Sequence, residues 1–250
     1  MKDNEDAHGQ QIFKFYNKER SFSVIEREDG YINVDENAAS LYFSDYKNWA
    51  RDEKKGIKYA KGRCLDIGCG AGRVALYLQK KGLYCLSIDN SPLAIKVCKL
   101  RGVKYAKIMP IEDVVRFEQN YFDTIILFGN NFGLFSNKNK AKHLLRVLYK
   151  ITSPKATIIA SNRDPYITKN PIHFRYHNLN RKRGRMPGQL RVRVRFIQFT
   201  TPWYDYLYVS KSEMKELLMG TGWHVKKFFN AENFEKNGQY TAVIKKNSNL

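Results

Sequence analysis

The sequence predicts an α/β fold built on a doubly wound, mostly parallel sheet. Three stretches predict it. In Arg63–Arg73 a short apolar run, Cys64–Ile67, leads into glycines at alternate positions, Gly68, Gly70 and Gly72. Val74, Ala75 and Leu78 then recur at helical spacing as far as Gly82, a residue suited to stopping a helix. Leu83–Asp89 is a second short apolar run, and it closes on an acid. Tyr121–Gly129 contains an acid and then a continuous apolar run, the mark of a strand buried on both faces. Strands and helices in alternation give a parallel sheet covered on both sides. At 250 residues the chain is long enough to bury such a core.

A strand, a glycine turn and a helix start together bring bare backbone close to a ligand. The dinucleotide pattern G-x-G-x-x-G/A fits only partly. Its third residue counted from Gly68 is the bulky Arg73, and counted from Gly70 it is Ala75, with Gly72 displaced as the second glycine. The run Asp66-Ile67-Gly68-Cys69-Gly70-Ala71-Gly72, read as D-x-G-x-G-x-G after an apolar strand, instead resembles the first motif of class I S-adenosylmethionine (SAM) dependent methyltransferases. The resemblance implies that the turn lies under the methionine part of SAM and that Asp66 helps to fix that end. Asp89, at the end of the next strand, matches the family's ribose-binding acid. The helix cap that Asp89 would otherwise provide is already supplied by Ser91-Pro92.

The remaining elements follow in order. Residues 1–38 show one apolar cluster, Ile12, Phe13 and Phe15–Tyr16. Ala38–Lys61 reads as a helix with Leu41, Tyr42, Asp45, Tyr46 and Trp49 on neighbouring turns. In the family an N-terminal helix often covers the cofactor, which makes Tyr42 and Tyr46 candidate lid and acceptor-side residues. Packing on the core is the alternative. Val103–Met109 is a third strand. Pro110 stands where the family often has an acid, so the adenine contacts fall to the Ile111 backbone N–H and to Glu112 or Asp113. Tyr121–Gly129 resembles the family's fourth strand, whose end faces the transferred methyl. Cys69, Arg73, Asn90, Gly129 and Asn130 join the cofactor set, and Asn131 the acceptor set. Asn130-Asn131 is not followed by P-P-[FY], the motif of enzymes that methylate base amines. Ser136–Lys150 is an amphipathic helix and Thr157–Ser161 a fifth strand. The family's last helix and strand pair are expected at Ser210–Gly220, His224–Phe229 and Tyr240–Lys245, joined by Asn237-Gly238.

The implied fold is a seven-stranded Rossmann-like methyltransferase sheet with an antiparallel β insertion, 162–209, after the fifth strand. The expected organisation is an N-terminal segment, 1–60, covering the cofactor site and a SAM-binding domain, 61–250, with 162–209 as its acceptor cap. Within the insertion Leu190, Val192, Val194 and Phe196 alternate with Arg191, Arg193 and Arg195, giving one apolar and one arginine face. Trp203–Val209 reads as a second, aromatic strand. Two strands are too few to stand alone, so their apolar face should rest on the Rossmann-like body near the cofactor. Trp203, Tyr204, Arg191 and Arg193 are the candidate acceptor contacts, and Tyr206, His173 and Asn130 the candidate catalytic residues. Tyr176, His177, Arg195 and Asp205 complete the wider set. Each has an ordinary reading as core or solvated edge.

Charge and composition limit the function classes. Lys and Arg number 44 against 24 Asp and Glu, a net charge of +20. Residues 163–200 carry ten basic side chains and one acid, so much of the excess is local. That is a footprint for a polyanion or a solvated lysine- and arginine-rich face. No apolar run reaches the length of a membrane span. The polar N-terminus argues against a signal peptide, and Cys64, Cys69, Cys85 and Cys98 lack CxxC spacing, so reduced thiols in a cytoplasmic protein are expected. No metal-ligand spacing is present. The resemblance points to a SAM-dependent methyltransferase with a small-molecule acceptor, the acceptor atom and oligomeric state being open. The alternatives are a nucleic-acid methyltransferase, which the charge favours, and a non-catalytic SAM-fold binding protein.

Overall fold

A computed structural model describes residues 3–36 and 38–247. Its strands in chain order are β1 (Ser23–Arg27), β2 (Ile32–Asp35), β3 (Cys64–Ile67), β4 (Cys85–Asp89), β5 (Tyr105–Ile108) and β6 (Phe122–Leu127). β7 (Thr152–Arg163), β8 (Gln189–Phe196), β9 (Phe199–Thr200), β10 (Tyr204–Leu207), β11 (Trp223–Asn230) and β12 (Gln239–Lys246) follow. The helices are α1 (Ala7–Tyr16), α2 (Ala38–Phe43), α3 (Arg51–Gly56), α4 (Arg73–Lys80), α5 (Pro92–Leu100) and α6 (Lys138–Ile151). α7 (Pro171–Lys182), α8 (Lys211–Leu218) and the single turn α9 (Phe234–Asn237) complete the set.

Seven strands form one sheet in the order β11-β12-β7-β6-β3-β4-β5, mostly parallel, as the sequence predicts. The β4–β5 and β6–β7 pairs are parallel, and β12 runs antiparallel to both β7 and β11. A second, antiparallel sheet has the order β10-β8-β1-β2, with β9 on β8. By internal contacts the chain divides into two compact units. Met1–Asn48, Asp66–Ile111 and Arg191–Tyr204 form one, and Trp49–Leu65, Glu112–Leu190 and Asp205–Leu250 form the other.

In the first unit α1 lies along α5, burying Ile12 against Ala71, Ala94 and Val97, with Phe13, Tyr42 and Phe43 at the margin. Asp6 fixes the arrangement. Its carboxylate caps α1 through the Gly9 N–H (2.9 Å) and also accepts from the Ser91 hydroxyl (2.9 Å) and the Leu93 N–H (3.2 Å) at the start of α5. One carboxylate thus serves two helix N-termini, where negative charge is favoured. In β8 Val192, Val194 and Phe196 are buried, so the period-2 pattern holds from Val192 onward, whereas Leu190 is half-buried and Gln189 takes the buried place. The partner of that apolar face differs from the expected one. Val194 and Phe196 pack with Ala7, Phe22, Ile25, Phe199 and Tyr204, and β1 pairs with β8 in the register Glu26↔Arg193. The N-terminal segment, opaque as sequence, supplies the strands that two lone strands would lack.

In the second unit β7 is twelve residues long, extended by pairing with β6 and β12. α6 buries Leu144, Leu145, Val147 and Leu148. α8 starts on a capping box, with Ser210 accepting from the Glu213 N–H and Glu213 from the Ser210 N–H. The helix expected over Ala38–Lys61 is instead α2, a 3₁₀ turn at Tyr46–Asn48, α3 and a second 3₁₀ turn at Ile57–Tyr59. Ser44 turns its hydroxyl back to the Leu41 carbonyl (2.8 Å), competing with continuation of α2. Leu41 is consequently exposed, off the apolar stripe assigned to it. α7 departs from the expected insertion of strands alone, since the segment holds a helix as well as strands. Asn170 caps it and Pro171 occupies its first turn.

Candidate functional site

The glycine turn after β3 is built for close approach. Gly68, Gly70 and Gly72 have φ of +71°, +54° and +78°. A Cβ on Gly70 would stand 2.6 Å from Tyr42 Cδ1, so the Tyr42 ring lies directly on bare backbone. The Gly70 N–H donates to Asp89 Oδ2 (3.0 Å) and the Ser91 N–H to Oδ1 (3.0 Å). Burial raises the Asp89 carboxyl above its ordinary range, the Asp6 carboxylate adds to that, and the two N–H donors oppose it. Each Asp89 oxygen retains a further lone pair. Ser91 caps α5 by accepting from the Ala94 N–H (2.9 Å), leaving Asp89 to the turn. Asp66 is buried at the end of β3, Cys69 is buried, and Asn90 is exposed. Arg73 opens α4 and Ile111 is buried. Arg101 donates to the Ala71 and Tyr42 carbonyls, tying the turn to the residue covering it. Tyr46 stacks on Tyr77 of α4, ring centroids 4.6 Å apart.

The arginine face of β8 is partly neutralised. Arg193 makes a bidentate pair with Glu26 (2.8 and 2.9 Å), Arg195 meets the same carboxylate (2.7 Å), and Arg193 also stacks on Trp203 (4.6 Å). Hydrogen bonding from Arg193, more than anything else, lowers the Glu26 carboxyl to about 2. The Arg191 carbonyl accepts from the Glu28 N–H. Tyr204 lies in the apolar cluster of this sheet, its hydroxyl 3.4 Å from His8 Nε2. Burial lowers the His8 pKa. Asp6, His8 and Glu26 escaped the sequence reading, since nothing local marks them, although Asp6 three residues before Gly9 is a legible cap signal.

In the second unit the chain turns sharply after β6. Gly129 and Asn130 both have φ of +68°. The Gly129 N–H donates to Glu53 Oε1 (3.1 Å), which also accepts from Ser161 Oγ (3.3 Å). Next to it Asp52 accepts from Thr241 Oγ1 (2.8 Å), and burial followed by the Glu53 charge raises its carboxyl. Tyr206 donates to the Asn130 carbonyl (2.7 Å), and its ring lies on Gly133, where a Cβ would meet it at 2.2 Å. Asn130 Oδ1 is buried without a hydrogen-bond partner among the described residues. Asn131 begins a 3₁₀ turn. Glu112 pairs with Lys140, and Asp113 with Arg116 (3.3 Å). His173 lies in the first turn of α7, while Tyr176 and His177 are buried on it. Asp205 is half-buried in β10. Tyr206 and Asn130 are thus brought together, and His173 lies on a different element from either.

Among the described residues no three His, Cys, Asp or Glu gather to hold a metal ion, and no helix is long and apolar enough to cross a membrane. All four cysteines are buried and none is in a disulfide.

A sheet of this order, with a glycine turn after its central strand, defines the class I, Rossmann-like fold of SAM-dependent methyltransferases. Within it, residues 65–160, β3 through most of β7, match the family model described as a methyltransferase domain. The ubiquinone biosynthesis O-methyltransferase of Xylella fastidiosa (strain 9a5c) is 33% identical over 76 residues, 28% of this chain. The chain spans only 31% of that relative's length. A SAM-dependent methyltransferase from Bacteroides fragilis, solved with S-adenosyl-L-homocysteine, shares the fold at a TM-score of 0.82 and 23% identity, covering 99% of this chain and 97% of that one. A Burkholderia thailandensis 1,6-didemethyltoxoflavin-N1-methyltransferase, solved with 1,6-didemethyltoxoflavin and S-adenosylhomocysteine, gives 0.55 at 12% identity over 85% and 86%.

Proposed function

We propose that this protein is a SAM-dependent methyltransferase acting on a small-molecule acceptor. The observation that carries the reading is the turn at Gly68–Gly72, whose Gly70 N–H is bonded to a half-buried strand-end carboxylate, Asp89. Bare backbone at Gly70, with the Tyr42 ring lying on it and an acid with lone pairs to spare beside it, fits the cofactor. Asp66, Gly68, Cys69, Gly70, Gly72 and Arg73 would hold its methionine end, and Asp89 and Asn90 its ribose. Ile111 with Glu112 or Asp113 would hold its adenine. SAM supplies an activated methyl group on a sulfonium, so the protein has mainly to align the acceptor and exclude water.

On the acceptor side we assign Gly129, Asn130, Asn131 and Tyr206. Asn130 Oδ1, buried and unpartnered among the described residues, is an acceptor atom for a polar hydrogen on the incoming molecule. Tyr206 fixes the Asn130 backbone through its carbonyl, and His173 is retained as a base for acceptors that must lose a proton. Tyr42 closes on the glycine turn. Tyr46, Arg191, Arg193, Trp203 and Tyr204 are kept as wider acceptor contacts. The bound small molecule of the Burkholderia structure supports this class of acceptor.

One observation favours nucleic acid as a second reading: α7 exposes Arg175, Arg181 and Lys182 together with Phe174. Incubation of the full-length protein with methyl-deuterated SAM and a bacterial extract separates the readings. Label in the low-molecular-mass fraction is the expected result. Label confined to RNA or DNA would support the second reading, and no transfer by a chain that binds SAM would support a non-catalytic role.

A further inference from the structure

Arg163 ends β7 at the carboxyl edge of the sheet, where ligands gather in doubly wound folds. Contacts join it to Asn130: its head faces the Tyr208 ring, Tyr208 meets Tyr206 edge to face, and Tyr206 donates to the Asn130 carbonyl. Among the described residues its guanidinium meets no hydrogen-bond acceptor and no carboxylate. Its Nε is buried without a partner, and its charged head faces the Tyr208 ring, 5.8 Å from the centroid. Arg27, Arg101 and Arg193 behave differently: Arg27 meets Asp29, Arg101 two carbonyls and Arg193 Glu26. Three carboxylates of the second unit accept from other groups, although Asp52 Oδ1 is itself buried without a partner among the described residues. Glu53 takes the Gly129 N–H and the Ser161 hydroxyl, on the same face of β7 as Arg163. Asp52 takes the Thr241 hydroxyl, and Asp164 takes the Tyr166 N–H (3.0 Å).

A half-buried fork of N–H donors with no anion is costly, and it matches a carboxylate in shape. We propose that Arg163 binds a carboxylate on the methyl acceptor, so that the substrate class is a small carboxylic acid. The inference rests on the acceptor-side reading of Asn130 and Tyr206. Tyr206 and Tyr208, edge to face at 5.6 Å, offer aromatic surface beside the charge.

The test uses the full-length protein, with and without S-adenosylhomocysteine, and two probes of equal shape, benzoate and benzamide, read by saturation-transfer NMR titration. Benzoate should bind at least about tenfold more tightly than benzamide, the scale of hydrogen bonds to a charged group. Arg163→Gln should abolish the preference while leaving S-adenosylhomocysteine affinity within about threefold, well under the tenfold that a lost charged contact costs. Arg163→Lys, a point charge without the fork, should lower the preference several-fold and serves if the glutamine variant does not fold. Equal binding of the two probes, no benzoate binding, or an unchanged preference in the variants would overturn the proposal. Failure of S-adenosylhomocysteine to bind the wild type would instead count against the methyltransferase reading, and the benzoate preference of the unloaded chain would still decide the role of Arg163.

Discussion

Asp6 shows how much one side chain can organise. Its carboxylate accepts three hydrogen bonds, from Gly9, Ser91 and Leu93, and so joins α1 to the start of α5 two residues after Asp89. Asp6→Ala removes a cap and leaves the Ser91 hydroxyl and two N–H groups without their partner. Caps alone are worth about 1 kcal/mol, and each further buried group left unsatisfied adds about as much. The variant should therefore melt about 6–12 °C below wild type, while Asp6→Asn, which keeps an acceptor oxygen, should lose less. Thermal denaturation followed by circular dichroism checks both. The sequence made Asp66, the glycines and Asp89 legible, because strand, turn and acid lie within one local pattern. Glu53 and Arg163 were not, because a carboxylate's partner or an arginine's lack of one exists only after folding brings distant strands together.

At the scale of elements, legibility followed periodicity. β3, β4, β6 and α6 fall close to where apolar runs and helical spacing placed them, since burial on both faces or along one stripe leaves an unambiguous pattern. The alternation in β8 was likewise plain. β1 and β2 were not, as β1 mixes polar and apolar residues and β2 is exposed throughout. Their part is visible only through the pairing of Glu26 with Arg193 and Arg195. That pairing carries a pH signature. Glu26 titrates at about 2 in the folded chain against an ordinary value of 4.5. Its stabilising contribution is therefore fully present above about pH 4.5 and is lost as pH falls through about 2. Glu26→Gln should destabilise the protein at neutral pH, and the gap from wild type should close on acid titration. A gap that stays constant from pH 7 to 2 would show that the ion pair contributes nothing.

For the whole molecule the charge of +20 and the methyltransferase fold pull the functional reading in different directions. The strand that carries the most regular arginine pattern spends two of its three arginines on Glu26, which removes much of the case for a nucleic-acid groove there. What remains central is the cofactor. Isothermal calorimetry of the full-length wild type and of Asp89→Ala with S-adenosylhomocysteine tests it most directly. One site is expected in the wild type, with a loss of about 1.5–3 kcal/mol in the variant, the worth of hydrogen bonds to a charged group. No binding by the wild type, or equal affinity in the two proteins, would contradict it.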